Sequence, residues 1–198
     1  MKHRIFIAIN LPENIKRKLF DHQEKIDEMF AFADSSPVRW TKKENLHITL
    51  FFLGYVADQE ILDVCRIVKE AAQKNEPFSL NLNKISYGPP GKKPRMIWVA
   101  GEKSKELGKL QRDLECSLLQ RKISVTAKES RPYSTHITLG RLKQWQFKNI
   151  EPEERPEISE DISLNFEVQS IEIMESKLKP AGPDYLILES MELGSPPH

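Results

Sequence analysis

Cysteine is scarce in this chain, with only Cys65 and Cys116 among 198 residues. Both fall at apolar positions of predicted helices and are expected as free, buried thiols, which excludes a disulfide framework. No apolar run approaches the roughly 20 residues that a membrane helix needs, so no membrane partner is expected. The opening Met1-Lys2-His3-Arg4-Ile5-Phe6-Ile7-Ala8-Ile9 is too short for a signal-peptide core. Asn10-Leu11-Pro12-Glu13 ends it without a small-residue cleavage site, so it reads as a first buried strand in a cytoplasmic protein. Glycine patterns are missing too. Without Gly-x-Ser-x-Gly there is no nucleophile elbow, and without a Walker or dinucleotide glycine run there is no phosphate-cradling loop of those kinds. Excess charge is also lacking: the net charge is +1, so a duplex-coating basic footprint is excluded. Any nucleic acid would be gripped at an end or over a few nucleotides.

Against those absences stand an ordinary 39% of hydrophobic and 30% of charged residues. These suit one soluble domain with a real core, or two small lobes sharing one. A first strand spans 4–10. Pro12 and Glu13 open a helix with Ile15, Leu19, Ile26, Met29 and Phe30 on its apolar face. Val38-Arg39-Trp40 is extended, and a polar turn leads to a strand over 46–53, closed by Gly54. Asp58 reads as the N-cap of the next helix, and Phe78 to Ile85 alternates as a strand. After the Gly88-Pro89-Pro90-Gly91-Lys92-Lys93-Pro94 loop the order begins again. A strand at 95–100 precedes a helix capped by Ser104, with Leu107, Leu110, Leu114 and Leu118 on one face. Ile123-Ser124-Val125 is extended, and a strand follows at 136–142. The proline-punctuated acidic stretch 151–156 reads as a loop or single turn. Strands at 166–173 and from Tyr185 to Met191 end the pass.

His47-Ile48-Thr49-Leu50 returns as His136-Ile137-Thr138-Leu139, 89 residues later, and Phe78 has its counterpart in Phe166 after 88. Matched order and offset argue for an internal duplication. The expectation is a single bilobal domain, with repeats over about 1–88 and 94–198 linked by the 88–94 loop. Each half should form a mainly antiparallel sheet with helices on its outer face, an α+β fold. A pseudo-twofold relation would bring the two motif strands together across a central cleft. Alternation in a strand places His47 with Thr49, and His136 with Thr138, on one face, with the Ile and Leu residues turned to the core.

Two such faces suit phosphate chemistry. An imidazole has an unperturbed pKa near ~6.5, so one histidine can serve as base while the other serves as acid. The threonine hydroxyls can hold phosphoryl oxygens. On a cyclic phosphodiester the base would deprotonate water and the acid would protonate the leaving sugar oxygen, with no cofactor or metal required. Two histidines could instead begin a zinc site, but neither motif supplies a third ligand.

The paired motifs resemble those of the 2H phosphoesterase superfamily. Over roughly 4–191 the chain is similar to the RNA 2′,3′-cyclic phosphodiesterases, also called 2′-5′ RNA ligases. The resemblance rests on Arg4-Ile5-Phe6-Ile7-Ala8-Ile9, on Asn45-Leu46-His47-Ile48-Thr49-Leu50 with Phe52-Leu53-Gly54, and on Arg131-Pro132-Tyr133. Arg141 and Gly182-Pro183-x-Tyr185 complete it. It implies His47 as proton donor and His136 as proton acceptor in opening an RNA 2′,3′-cyclic phosphate end to the 2′-phosphomonoester, and a related reversal would account for ligation. It also implies that Arg141 engages the phosphate. Strict alternation would turn Arg141 away from His136, so that role requires a bulge at Gly140. Phe51 shares parity with His47 and Thr49 and could stack on a base or pack in the core. Tyr133 and Arg95 flank the cleft in sequence and are further candidate substrate contacts. The expected partners are RNA ends or cyclic phosphate nucleotides, and the chain is expected to act as a monomer. Two alternatives share the motifs: a relative acting on a small cyclic nucleotide or sugar phosphate, and a non-catalytic RNA-binding module.

Overall fold

A computed structural model of the chain describes residues 1–33, 35–121, 123, 135–179 and 182–194. Its first half runs β1 (Lys2–Asn10), α1 (Glu13–Glu28), β2 (Val38–Trp40), a 3₁₀ turn at Lys43–Asn45, β3 (His47–Ala57), α2 (Asp58–Gln73) and β4 (Phe78–Gly88). The second runs β5 (Met96–Gly101), α3 (Lys105–Gln120), β6 (His136–Leu142), α4 (Gln144–Lys148), a 3₁₀ turn at Pro152–Glu154, β7 (Ser159–Val168), β8 (Ser170–Lys179) and β9 (Gly182–Glu192). No described helix is long and apolar enough to cross a membrane.

Two antiparallel sheets result, ordered β3-β1-β8-β9 and β2-β6-β5-β4-β7. One apolar core runs behind both. It joins Ile5, Ile7 and Ile9 of β1 and Ile97, Val99, Ile137 and Leu139 of β5 and β6 to the buried stripes of α1, α2 and α3. The α3 stripe is the expected one, Leu107, Leu110, Leu114 and Leu118, and Ser104 Oγ accepts the Leu107 N–H at 3.0 Å to cap the helix.

Several sequence expectations need correction. Neither half builds its own sheet: β2 and β4 join β5, β6 and β7, whereas β8 and β9 join β1 and β3, so each half gives two strands to the other's sheet. The stretch 166–173 is not one strand. Its apolar residues change phase, Phe166 and Val168 before Gln169 and Ile171 and Ile173 after it, because the chain leaves one sheet there and enters the other. Gly54 does not close its strand. It lies at φ +77°, a left-handed conformation that lets β3 bulge at Leu53 and continue to Ala57. Cys116 is exposed and Cys65 half-buried, because neither lies on the stripe its helix turns inward. Asp58 is the first helical residue, not the cap. Ser124, Val125 and the segment 129–133 lie outside the described residues.

Two further bulges decide what faces the cleft. In β3 the register passes from Ala8↔Thr49 to Ile7↔Phe51, leaving Leu50 as the extra residue. In β6 it passes from Trp98↔Thr138 to Ile97↔Gly140, leaving Leu139 extra. The Leu139 carbonyl accepts both the Thr41 N–H at 2.7 Å and Nε2 of the buried Gln23 at 2.7 Å, so α1 pins the second bulge. At Gly140 a Cβ would lie 2.5 Å from Val38 Cγ1 and 2.8 Å from the Trp40 ring. Only glycine lets β2 close on the bulge there.

Candidate active site

Period two and the pleat put His47 and Thr49 on the face of β3 opposite the core, while Ile48 and Leu50 are buried behind. Asn45, in the turn just before β3, orients the imidazole. Its carbonyl accepts from His47 Nδ1 at 2.7 Å, which leaves Nε2 to accept from the Thr49 hydroxyl at 2.9 Å. Phe6 lies under the His47 ring, with centroids 5.1 Å apart, and Tyr185 meets it edge-on at 5.2 Å. Tyr185 arrives because the β8–β9 hairpin arches over this face. Asn45 Nδ2 donates to the Pro183 carbonyl at 2.9 Å and Lys42 pairs with Asp184 at 3.1 Å, which ties the start of β9 to the turn before β3.

Burial under this strap pushes the His47 imidazole down to about 4, against the pull of the Asn45 carbonyl; Lys16 and His136 lower it further by charge. His136 is thus within electrostatic reach of His47 across the cleft. Lys16 is itself buried on α1, donates to the Glu44 carbonyl at 3.3 Å and is held below the usual lysine range by that burial.

On the other wall, His136 and Thr138 share one face of β6, above buried Ile137 and Leu139. Trp98 supports His136, with ring centroids 4.7 Å apart, and Thr138 Oγ1 lies 3.9 Å from Met96 Sδ. The bulge at Leu139 restores Arg141 to the His136 face, where it is exposed and pairs across strands with Met96 and with Arg39.

The same physics overturns the placement of Phe51. The bulge at Leu50 turns Phe51 into the core at 8% exposure and sends Phe52, 47% exposed, to the cleft face against Phe6 at 5.8 Å. Phe52 and Arg141 each stand five residues after a motif histidine, so the two bulges make them counterparts. Comparing the two motifs position by position could have found Phe52. Arg95 precedes β5, and alternation sets it on the face opposite Met96 and Trp98, so it is not grouped with the cleft residues. Tyr133 lies outside the described residues. Sequence reasoning missed Asn45, Trp98 and Phe6 as supports of the two histidines, and Gln23 as the anchor of the second bulge.

Phe51→Ala is expected to lower the unfolding free energy by about 3–5 kcal/mol, the cost of emptying a core aromatic site. Phe52→Ala should cost about 1 kcal/mol or less and act on substrate affinity instead. Urea titration beside kcat/KM separates the two outcomes.

Comparison with known proteins shows the family and the fold. The family described as LigT like Phosphoesterase matches the chain twice, over residues 9–98 and 99–185. The chain belongs to the LigT-like phosphoesterase family. The two matches meet just before Val99, in the middle of β5, whereas each sheet draws strands from both halves. The chain is 30% identical to the RNA 2′,3′-cyclic phosphodiesterase of Methanothermobacter thermautotrophicus, covering 98% of this chain and 100% of that one. With the protein of the same name from Thermotoga maritima it shares 30% identity over 93% of this chain and 92% of that one. A crystal structure from Thermus thermophilus superposes with a TM-score of 0.80 at 26% identity, covering 96% and 97% of the two chains. The E. coli LigT structure complexed with 3′-AMP matches the fold with a TM-score of 0.76 at 20% identity, covering 98% and 100%.

Proposed function

We propose that the cleft hydrolyses the 2′,3′-cyclic phosphate at an RNA end to a 2′-phosphomonoester by paired histidine acid–base catalysis, without a metal ion. What carries the reading is the matched pair of faces, His47 with Thr49 and His136 with Thr138, in a chain whose relatives are named RNA 2′,3′-cyclic phosphodiesterases. His136 takes a proton from water as it attacks phosphorus. His47 gives its proton to the departing 3′ oxygen, and the threonine hydroxyls and Arg141 hold the anionic phosphoryl oxygens. The reverse of closely related chemistry, with a 5′-hydroxyl in place of water, would join ends through a 2′-5′ bond. One chain carries both histidines, so the reading requires no partner subunit, and it suits the cytoplasm where RNA ends arise.

The acid role sets a condition on His47. Its depressed pKa, about 4, leaves it neutral at physiological pH. An anionic phosphate beside Nε2 favours the imidazolium, so substrate binding itself must load the proton. Titration of the His47 ring by NMR is expected to centre near pH 4 in the free protein and to move upward when a 2′-phosphomononucleotide is added. An unchanged titration would remove His47 from the acid role. The shift also links to stability. The folded pKa lies below the unfolded one, so this stabilisation is complete above about pH 6.5 and is lost as the pH falls towards 4.

The direct test is an oligonucleotide ending in 2′,3′-cyclic phosphate, incubated with the protein in EDTA. Conversion to the 2′-phosphate is expected, with a bell-shaped pH dependence of kcat/KM from two coupled imidazoles. Strict dependence on added metal would sink the mechanism. Turnover confined to small cyclic phosphates would move the substrate class away from RNA.

A further inference from the structure

We propose that Arg4, Arg39 and Tyr185 form a second anion subsite beside the reactive centre, and that it holds the phosphodiester immediately preceding a cyclic-phosphate end. The proposal rests on the RNA-end reading above and narrows it: the substrate is a polynucleotide, and a mononucleotide leaves half the binding site unused.

The two arginines come from different sheets. Arg4 lies on β1 with the alternation of Phe6 and Ala8, which puts it on the cleft face, and its cross-strand partner is Tyr55, 68% exposed. Arg39 lies on β2 directly opposite Arg141, on the His136 face of the other sheet. Tyr185 lies on β9 at the same face as Arg4, its ring edge-on to Phe6 at 5.0 Å and to His47 at 5.2 Å. Arg141, Arg4 and Arg39 each act by charge on the Tyr185 hydroxyl, working against the burial that raises its pKa.

Among the described residues, the arginines paired with a carboxylate are Arg66 and Arg121; Arg4, Arg39 and Arg141 have no such pair. The acids nearby are engaged elsewhere. Glu172, which pairs with Ala8 on the same face, accepts the Asn10 N–H at 2.8 Å and the Ser170 and Ser190 hydroxyls at 2.6 and 3.2 Å. Asp184 is held by Lys42 and Lys179. Like charges gathered around one hydroxyl repel each other unless an anion joins them. One phosphate at the histidines can use Arg141, but Arg4 and Arg39 then remain unneutralised. The next phosphate of a nucleic-acid strand supplies that charge, and the exposed rings of Phe52 and Tyr55 beside Arg4 offer a stacking surface for its base.

The test compares kcat/KM for three substrates: a 2′,3′-cyclic mononucleotide, a trinucleotide ending in 2′,3′-cyclic phosphate, and that trinucleotide with a neutral methylphosphonate before its last nucleotide. Charge-assisted contacts of this kind predict a trinucleotide preference on the order of tenfold to a hundredfold, most of it lost with the methylphosphonate. Arg4→Gln and Arg39→Gln should each shrink the preference. Equal kcat/KM for the three substrates, or a preference untouched by both variants, overturns the subsite. If the native protein opens none of them, the catalytic reading fails instead. Binding of a labelled trinucleotide 2′-phosphate and its methylphosphonate analogue, measured by fluorescence anisotropy, then reads the subsite without turnover. Equal affinities would overturn it there too.

Discussion

His136→Ala is expected to lower kcat on a cyclic-phosphate RNA end by about 10²–10⁴-fold, the usual worth of a positioned general base. His47→Ala should fall in the same range, and the double variant should lose far less than the product, because the two imidazoles act in one concerted proton exchange. Neither histidine is part of the core: both are partly buried on the cleft faces, outside the apolar cluster, so both variants should fold. Single-turnover rates with saturating RNA, in EDTA, measure the effect directly. Full activity in either variant would end the paired mechanism. The pH profile adds a sharper readout. Each single variant should lose one limb of the bell, the base limb with His136 and the acid limb with His47.

Arg141→Ala should cost about 10²–10³-fold in kcat/KM, comparable to removing one donor from an oxyanion site. Its guanidinium lies on the His136 face only because of the bulge at Leu139, and it is exposed, so unfolding midpoints should stay unchanged. Arg141→Lys should recover part of the loss, since a lysine keeps the charge without the planar fork. A variant that binds RNA weakly but turns it over at the native kcat would assign Arg141 to ground-state binding rather than to the developing charge.

Some of this was legible in the sequence. Period two in a strand is enough to group His47 with Thr49 and His136 with Thr138, and helical spacing is enough to find the α3 stripe. Strict alternation then misled at one common point. It turned Phe51 to the cleft and Arg141 away from it, because an extra residue in each strand reverses parity and leaves no local mark beyond a neighbouring glycine in one copy. The strand exchange was hidden for a different reason. The change of apolar phase between Val168 and Ile171 is visible in the sequence, but only pairing with β1, far away in the chain, explains it. Supports such as Gln23, Asn45 and Trp98 have no signature of their own, since what they do depends on a carbonyl or ring brought near by the fold.

The exchanged strands β8 and β9 also set an order of events during synthesis. Ile7 of β1 pairs with Ile173, so the sheet bearing His47 keeps an open edge until β8 has been made. The other sheet can assemble strand by strand as β4, β5, β6 and β7 emerge. A nascent chain released early would thus expose β1, one of its most apolar segments, as a bare edge. Pairings of such long sequence separation also slow folding, because loop closure precedes the contacts that reward it. The cleft therefore forms only when β8 docks and β9 carries Tyr185 over a histidine strand made long before them.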